Sequence, residues 1–185
     1  MLKEIWVDDK KYVVDVSYYN SKDKVLSQAL LEEAKKHKND CEIIYINPDY
    51  VISPTNIIIA IQYALRAFKR GKNISRLLPI EVMLYLAGER EISKALRFFR
   101  IKEITDKLII VIIGETTNKV LTVKARLMKK FSFKESKIEV NREKIDNVKN
   151  LYKISREEIS TTYASSEEEA LVKLVAIRSA FLSIS

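Results

Sequence analysis

One cysteine, one histidine, three glycines and three prolines are all that the 185 residues hold of these types. Cys41 alone excludes an internal disulfide and a thiolate metal cage, and its place before the apolar run Ile43 to Ile46 suits a small strand residue near the core. His37 sits in K-K-H-K, the pattern of a solvated helix face, so neither a zinc site nor a histidine acid–base pair can be assembled. With so little glycine there is no G-x-G-x-x-G loop. The turn beginning at Gly114, G-E-T-T-N-K, lacks the second glycine and the G-K-[ST] spacing of a P-loop, and Thr116 and Thr117 are expected to cap the helix after it. Glu32-Glu33 and Glu157-Glu158 occupy helical positions expected to be solvated. No activated nucleophile, acid–base pair, metal set or cofactor loop emerges, which points away from an enzyme. The longest apolar run, Leu108 to Ile113, cannot span a bilayer, and the charged start M-L-K-E-I-W-V-D-D-K-K is not a signal peptide. A soluble, cytoplasmic chain is expected.

What is present suits one α/β domain over residues 1–185, a small mixed sheet covered by several helices. Apolar residues make up 47% and charged residues 31%, enough for a globular core. No internal repeat or linker breaks the chain. Glu4 to Val7 and Lys11 to Val16 read as a hairpin around Asp8-Asp9. A helix is expected over Lys24 to Lys38, then a strand over Glu42 to Ile46 that stops at Asn47-Pro48. Ser53 and Pro54 open a helix that carries Ile57, Ile61, Ala64, Leu65 and Phe68 on its core face and ends at Gly71. Leu78 to Ala87 is apolar almost all round, capped by Gly88, so it is either central to the core or covered by a partner. Glu89 to Phe99 is expected to bury Ile92, Ala95, Leu96 and Phe99. Lys107 to Ile113 has no alternation, so both its faces should be covered. Val120, Leu121, Leu127, Met128 and Phe131 mark a further helix, and Ile145, Val148 and Leu151 a weaker one. Ser155 with Glu158 and Ser166 with Glu169 form capping-box patterns. The last helix, Glu167 to Leu182, has one stripe of Ala170, Leu174, Ile177 and Phe181 and a second of Leu171, Val175 and Leu182. So wide an apolar face suits either a partner surface or a helix wedged between two layers of its own domain.

The net charge of +8 is uneven. Residues 54–102 carry ten basic and three acidic side chains, whereas residues 1–53 are net acidic. Ile59, Tyr63, Arg66 and Arg70 recur at helical steps away from the core face, and Arg90, Lys94 and Arg97 share a face on a later helix. Lys69, Lys72, Arg76, Arg100 and Lys102 extend the field. Arginine can grip phosphate with two parallel hydrogen bonds and tyrosine can stack on an unpaired base, which favours single-stranded or end recognition of RNA. A solvated, lysine-rich surface is the ordinary alternative.

The same stretch carries a resemblance. N56-I with Ala60 and Ala64, then R66-A-F-K-R-G-K-N-I-S, then E81-x-M-L-Y-L-A-G-x-R-x-I-x-x-A-L-x-F-F-x-I and an apolar strand, over Val51 to Gly114, resemble the small regulatory subunit of the KEOPS complex, the PRPK-binding protein family. E158-I and the A-L-V-K-L-V-A helix are similar. Arg100 stands where that family usually has glycine, and residues 132–154 read as a variable connection. The resemblance implies a non-catalytic, cofactor-free subunit with a single α/β fold. Such a subunit binds a PRPK-type atypical kinase and, through it, the threonylcarbamoyltransferase that modifies tRNA to threonylcarbamoyladenosine; it recruits tRNA by its 3′ CCA end. On that basis RNA contact is assigned to Tyr63, Arg66, Lys69, Arg70, Lys72, Arg76, Arg90, Lys94 and Arg97, and kinase docking to Met83, Leu171, Val175 and Leu182. A freestanding RNA-binding protein, with its last helix buried internally, is the alternative; a small-molecule enzyme would need a pocket of convergent polar groups, for which the sequence gives no sign.

Overall fold

A computed structural model describes residues 1–184, other than the side chains of Lys22 and Asp23. The α/β class holds, with eight α-helices and a five-stranded sheet among the described residues. The chain's contacts gather into two compact units, Met1–Pro48 with Arg100–Lys137 and Asp49–Phe99 with Ile138–Ser185, so each unit is assembled from two separate stretches.

The first unit holds the sheet. β1 (Leu2–Val7) and β2 (Lys10–Leu26) form the expected hairpin, turned by Asp8 at φ +53°, and β2 runs on well past Val16. α1 (Ser27–Lys36) therefore starts three residues later than the sequence suggests, because Val25 and Leu26 still pair with Thr105 and Ile104. β3 is Cys41–Ile46, β4 is Ile104–Gly114 and β5 is Lys134–Ser136. The order is β1-β2-β4-β3, with β5 continuing along the β1 edge of β2. Every described pairing is antiparallel. A mixture of directions was expected; even β3 and β4, which are joined through a helical stretch, run antiparallel. β4 is buried on both faces, as its unbroken apolar run suggests. Leu108, Ile110 and Ile112 pack with Leu30 of α1 and with Val120, Val123 and Leu127 of α5 (Thr117–Phe131). Leu121 is exposed instead, and Val123 takes the core position. Thr116 caps α5 through the Lys119 amide, and a Cβ on Gly114 would stand 2.9 Å from both Cys41 Sγ and Val120. That glycine serves close packing, not phosphate.

Two polar clusters brace this unit. Lys124 lies 3.1 Å from both Asp15 and Glu135 and donates to Ser17 Oγ at 2.8 Å. Glu33 and His37, both expected on solvated positions, are buried. α1 ends just before His37, and the ring folds back to within 3.3 Å of Glu33, which is also paired with Lys36 and Lys130. The Lys130 ammonium is the main cause that holds the Glu33 carboxyl at about 2, below its ordinary 4.5. A carboxyl depressed by folding adds stability above pH 4.5 and loses it as pH falls toward 2. The melting-temperature gap between wild type and Lys130→Met should therefore be widest at neutral pH and narrow as pH drops below 4.5; a gap that stays constant down to pH 3 contradicts the pairing.

The second unit is helical: α2 (Pro54–Lys69), α3 (Leu78–Ala87), α4 (Ile92–Phe99), α6 (Arg142–Tyr152), α7 (Arg156–Thr161) and α8 (Glu167–Leu182). Ser53 caps α2 and Pro54 starts it, as expected. Asn56 is buried and donates its amide to the Val172 carbonyl of α8 at 2.8 Å, which gives the N56-I pair a packing role. Val82 to Ala87 of α3 are all buried. α4 begins later than expected and leaves Ile92 exposed, while Ala95 and Phe99 are in the core. The stretch read as a variable connection contains α6, where the buried Tyr152 hydroxyl donates to the Leu86 carbonyl at 2.6 Å and satisfies the last turn of α3. Ser155 and Glu158 form a full capping box, and Glu158 also pairs with Arg178 at 2.6 Å. At Ser166 the box is only half made, because Glu169 accepts from Ser165 instead.

Candidate nucleic-acid and partner interface

α3 organises the basic field from its two ends. Its N-terminal turn carries Glu81, a carboxylate with no exposed surface in an otherwise apolar helix. The amides of Ile74 and Ser75 donate to it at 3.0 and 2.7 Å. A carboxylate gripped by main-chain N–H groups fixes backbone rather than a side chain. The connection G71-K-N-I-S-R-L is thereby held with Lys72 and Arg76 facing solvent, and neither has an ion pair among the described residues. Asn73 adds a bond from its side chain to the Ser75 carbonyl at 2.9 Å. Gly71 supplies the left-handed φ of +64° at the end of α2.

On α2, Tyr63 and Arg66 do come together. Tyr63 is stacked on Tyr85, with ring centres 5.7 Å apart and planes 14° from parallel, and the Arg66 guanidinium lies 6.0 Å from the Tyr63 ring. One face of the ring is thus engaged by Tyr85, and the Arg66 guanidinium lies beside it. Tyr85 is buried, and burial raises its phenol pKa; Glu81 and Tyr63 add to the rise while Arg90 opposes it. Arg66, Tyr63, Tyr85 and Arg90 therefore form one continuous neighbourhood.

At its C-terminal end α3 stops on Gly88, again at φ +64°. A Cβ there would meet both Cβ and the carbonyl oxygen of Arg178 at 3.2 Å, so α8 leaves room only for glycine. Just beyond, Arg90, Glu91 and Lys94 form one side of an open groove of about 650 Å³, and Phe181, Leu182 and Ile184 the other. Lys94 is 3.1 Å from Glu91 and 3.9 Å from Glu89, and Glu91 holds its pKa above the usual value. The charge of Lys94, one of the basic side chains expected to meet RNA, is thus compensated by two carboxylates. Arg97 is exposed beside Phe98 at 5.8 Å from that ring. Lys69 and Arg70 lie at the exposed end of α2, whereas Arg100 and Lys102 belong to the first unit. Arg100 makes its bend without a positive φ, so the glycine usual in the family is not required here.

The sequence profile described as "Kinase binding protein CGI-121" matches residues 18–179. The chain belongs to the CGI-121 family of kinase-binding proteins. The match runs through the 132–154 stretch that the motifs alone did not reach.

For a CGI-121 protein the question is which apolar surface stays open to a kinase. Met83, Leu171, Val175 and Leu182, expected to dock it, are at most 6% exposed and belong to the unit's own core. The second stripe of α8 faces inward because α2 and α3 both pack against it. Ile177 and Phe181, assigned to the first stripe, are the ones left open, at 44% and 57%. Ala170 and Leu174 of that same stripe are buried, so only its C-terminal end is open, a distinction that periodicity cannot make. Glu81 was equally overlooked, although one acid within L-P-I-E-V-M-L-Y-L-A was the available signal. Replacing Glu81 with alanine leaves two main-chain donors unpaired and should cost about 2–4 kcal/mol in urea unfolding. Glu81→Gln, which keeps an acceptor, should cost less, and a loss below about 0.5 kcal/mol for the alanine variant contradicts the clamp.

Proposed function

We propose that this chain is the non-catalytic, kinase-binding subunit of a KEOPS complex, docking a PRPK-type atypical kinase and recruiting tRNA by its 3′ CCA end for threonylcarbamoyladenosine formation. The threonylcarbamoyltransferase is reached indirectly, through the kinase, and the setting is the cytoplasm. Membership of a kinase-binding family supports the kinase half. No helix among the described residues is long and apolar enough to cross a membrane.

The RNA half rests on the clamped connection between α2 and α3. Lys72 and Arg76 flank the backbone that Glu81 fixes, and Arg66 and Arg70 lie on the last turn and cap of α2 just before it. A rigid cluster of guanidinium groups suits the phosphates of a short, unpaired RNA end, since each can accept two parallel hydrogen bonds without first ordering a loop. Kinase docking goes to Ile177 and Phe181 of α8 and to the groove beside them, an apolar anchor rimmed by Arg90, Glu91 and Lys94. A freestanding RNA-binding protein is the second reading, and the burial of Leu171, Val175 and Leu182 speaks for it; the family's kinase binding and the open Phe181 speak against it.

The test compares intact tRNA with tRNA trimmed of its 3′ CCA, for wild type and for Arg66→Ala, Arg70→Ala and Arg76→Ala. Intact tRNA should bind at least about tenfold more tightly, and each alanine should weaken it and lower the salt slope by about 0.7. Equal affinity for the two RNAs overturns end recognition.

A further inference from the structure

A second concentration of charge lies in the first unit. Residues 119–137 contain seven basic side chains and one acidic, an excess that the acids elsewhere in the C-terminal third conceal. Two of the seven are neutralised by built-in carboxylates: Lys124 by Asp15 and Glu135, and Lys130 by Glu33. The other five, Lys119, Arg126, Lys129, Lys134 and Lys137, are exposed and carry no ion pair among the described residues.

Their placement is ordered. α5 buries Val120, Val123 and Leu127 and turns Lys119, Thr122, Arg126 and Lys129 outward at steps of three, four and three. Those steps form one stripe of side chains about 5–6 Å apart, about 15 Å long. Lys134 and Lys137 continue the charge beyond the helix. The arrangement is costly for the isolated protein. Arg126 and Lys129 repel each other at i,i+3, and Lys119, although it lies near Glu115, stands in the first turn, where the helix dipole disfavours a cation. Lys129 alone has the dipole's support, near the C-terminus.

The geometry points to α5 as a second polyanion-binding surface, one that grips the phosphodiester backbone of double-stranded RNA. The stripe has no aromatic ring to stack on a base, since Phe131 is half-buried and stacked on Phe133. It also lacks the apolar anchor around which a protein interface is built. What remains is a line of cations fit for phosphates without reading sequence. The inference rests on the RNA-binding reading only for the identity of the polyanion; the CCA end, being unpaired, is not its ligand.

A blunt RNA duplex of about 20 base pairs, which has no CCA end, is the probe. Binding by wild type is compared with a quadruple variant, Lys119→Ala, Arg126→Ala, Lys129→Ala and Lys134→Ala, and with the triple Arg66→Ala, Arg70→Ala and Arg76→Ala. The quadruple should bind the duplex at least about tenfold more weakly, with a salt slope lower by about 3, while the triple stays within about threefold of wild type. Lys119→Arg, Lys129→Arg and Lys134→Arg together should retain affinity, and this variant keeps the test decisive should the quadruple fail to fold. Duplex binding untouched by the quadruple, or lost equally in the triple, overturns the inference. So does a quadruple that keeps duplex binding but loses the kinase, the result of an acidic protein partner. Indifference to CCA trimming together with duplex binding that depends on α5 removes end recognition and leaves this surface standing.

Discussion

A carboxylate with no exposed surface, Glu81, sits where the buried stretch of α3, which runs on to Ala87, meets the chain's basic connection. Its bonds to the Ile74 and Ser75 amides set where Lys72 and Arg76 stand. Ten residues are enough to carry this constraint from one end of α3 to the other. At the far end the Tyr152 hydroxyl satisfies the Leu86 carbonyl and Gly88 turns the chain against Arg178, which delivers Arg90 to the groove beside Phe181. Were α3 free to shift, neither end would hold its surface in place. Packing density makes the helix rigid, and the buried charge makes its register unique.

The distribution of cations follows a simple rule. Where a lysine packs over the chain's own elements it has a carboxylate, as Lys124 and Lys130 do. Uncompensated ones stand at Arg76 and Lys72 in one unit and along α5 in the other. Surface pairs contribute little to stability, so the contrast concerns partners more than folding. On those two segments, both locally rigid, a polyanion meets the charge without an ordering cost.

Much of the architecture was legible because local signals agreed. Ser53 with Pro54, Gly88, the Ser155 box and the unbroken run in β4 each named an element that exists. Boundaries slipped where tertiary pairing overrode them: Val25 and Leu26 read as helix but pair with β4. His37 and Glu33 looked solvated because a K-K-H-K run hides that the ring folds back on its own helix. The basic field was visible from spacing alone, but Tyr63 was not seen to be occupied, since its partner Tyr85 lies on another helix. Which apolar residues of α8 stay open is a property of what packs against them, and no periodicity carries that information. Phe181 and Leu182 are adjacent, yet one is 57% exposed and the other 6%.

The central proposal is that a kinase docks on the exposed end of α8, at Ile177 and Phe181. Kinase affinity of Phe181→Asp, with tRNA affinity of the same variant as the internal control, tests it most directly. The account predicts kinase binding weakened at least about tenfold, as for an anchor residue, with tRNA binding unchanged. Full kinase affinity in that variant would contradict it.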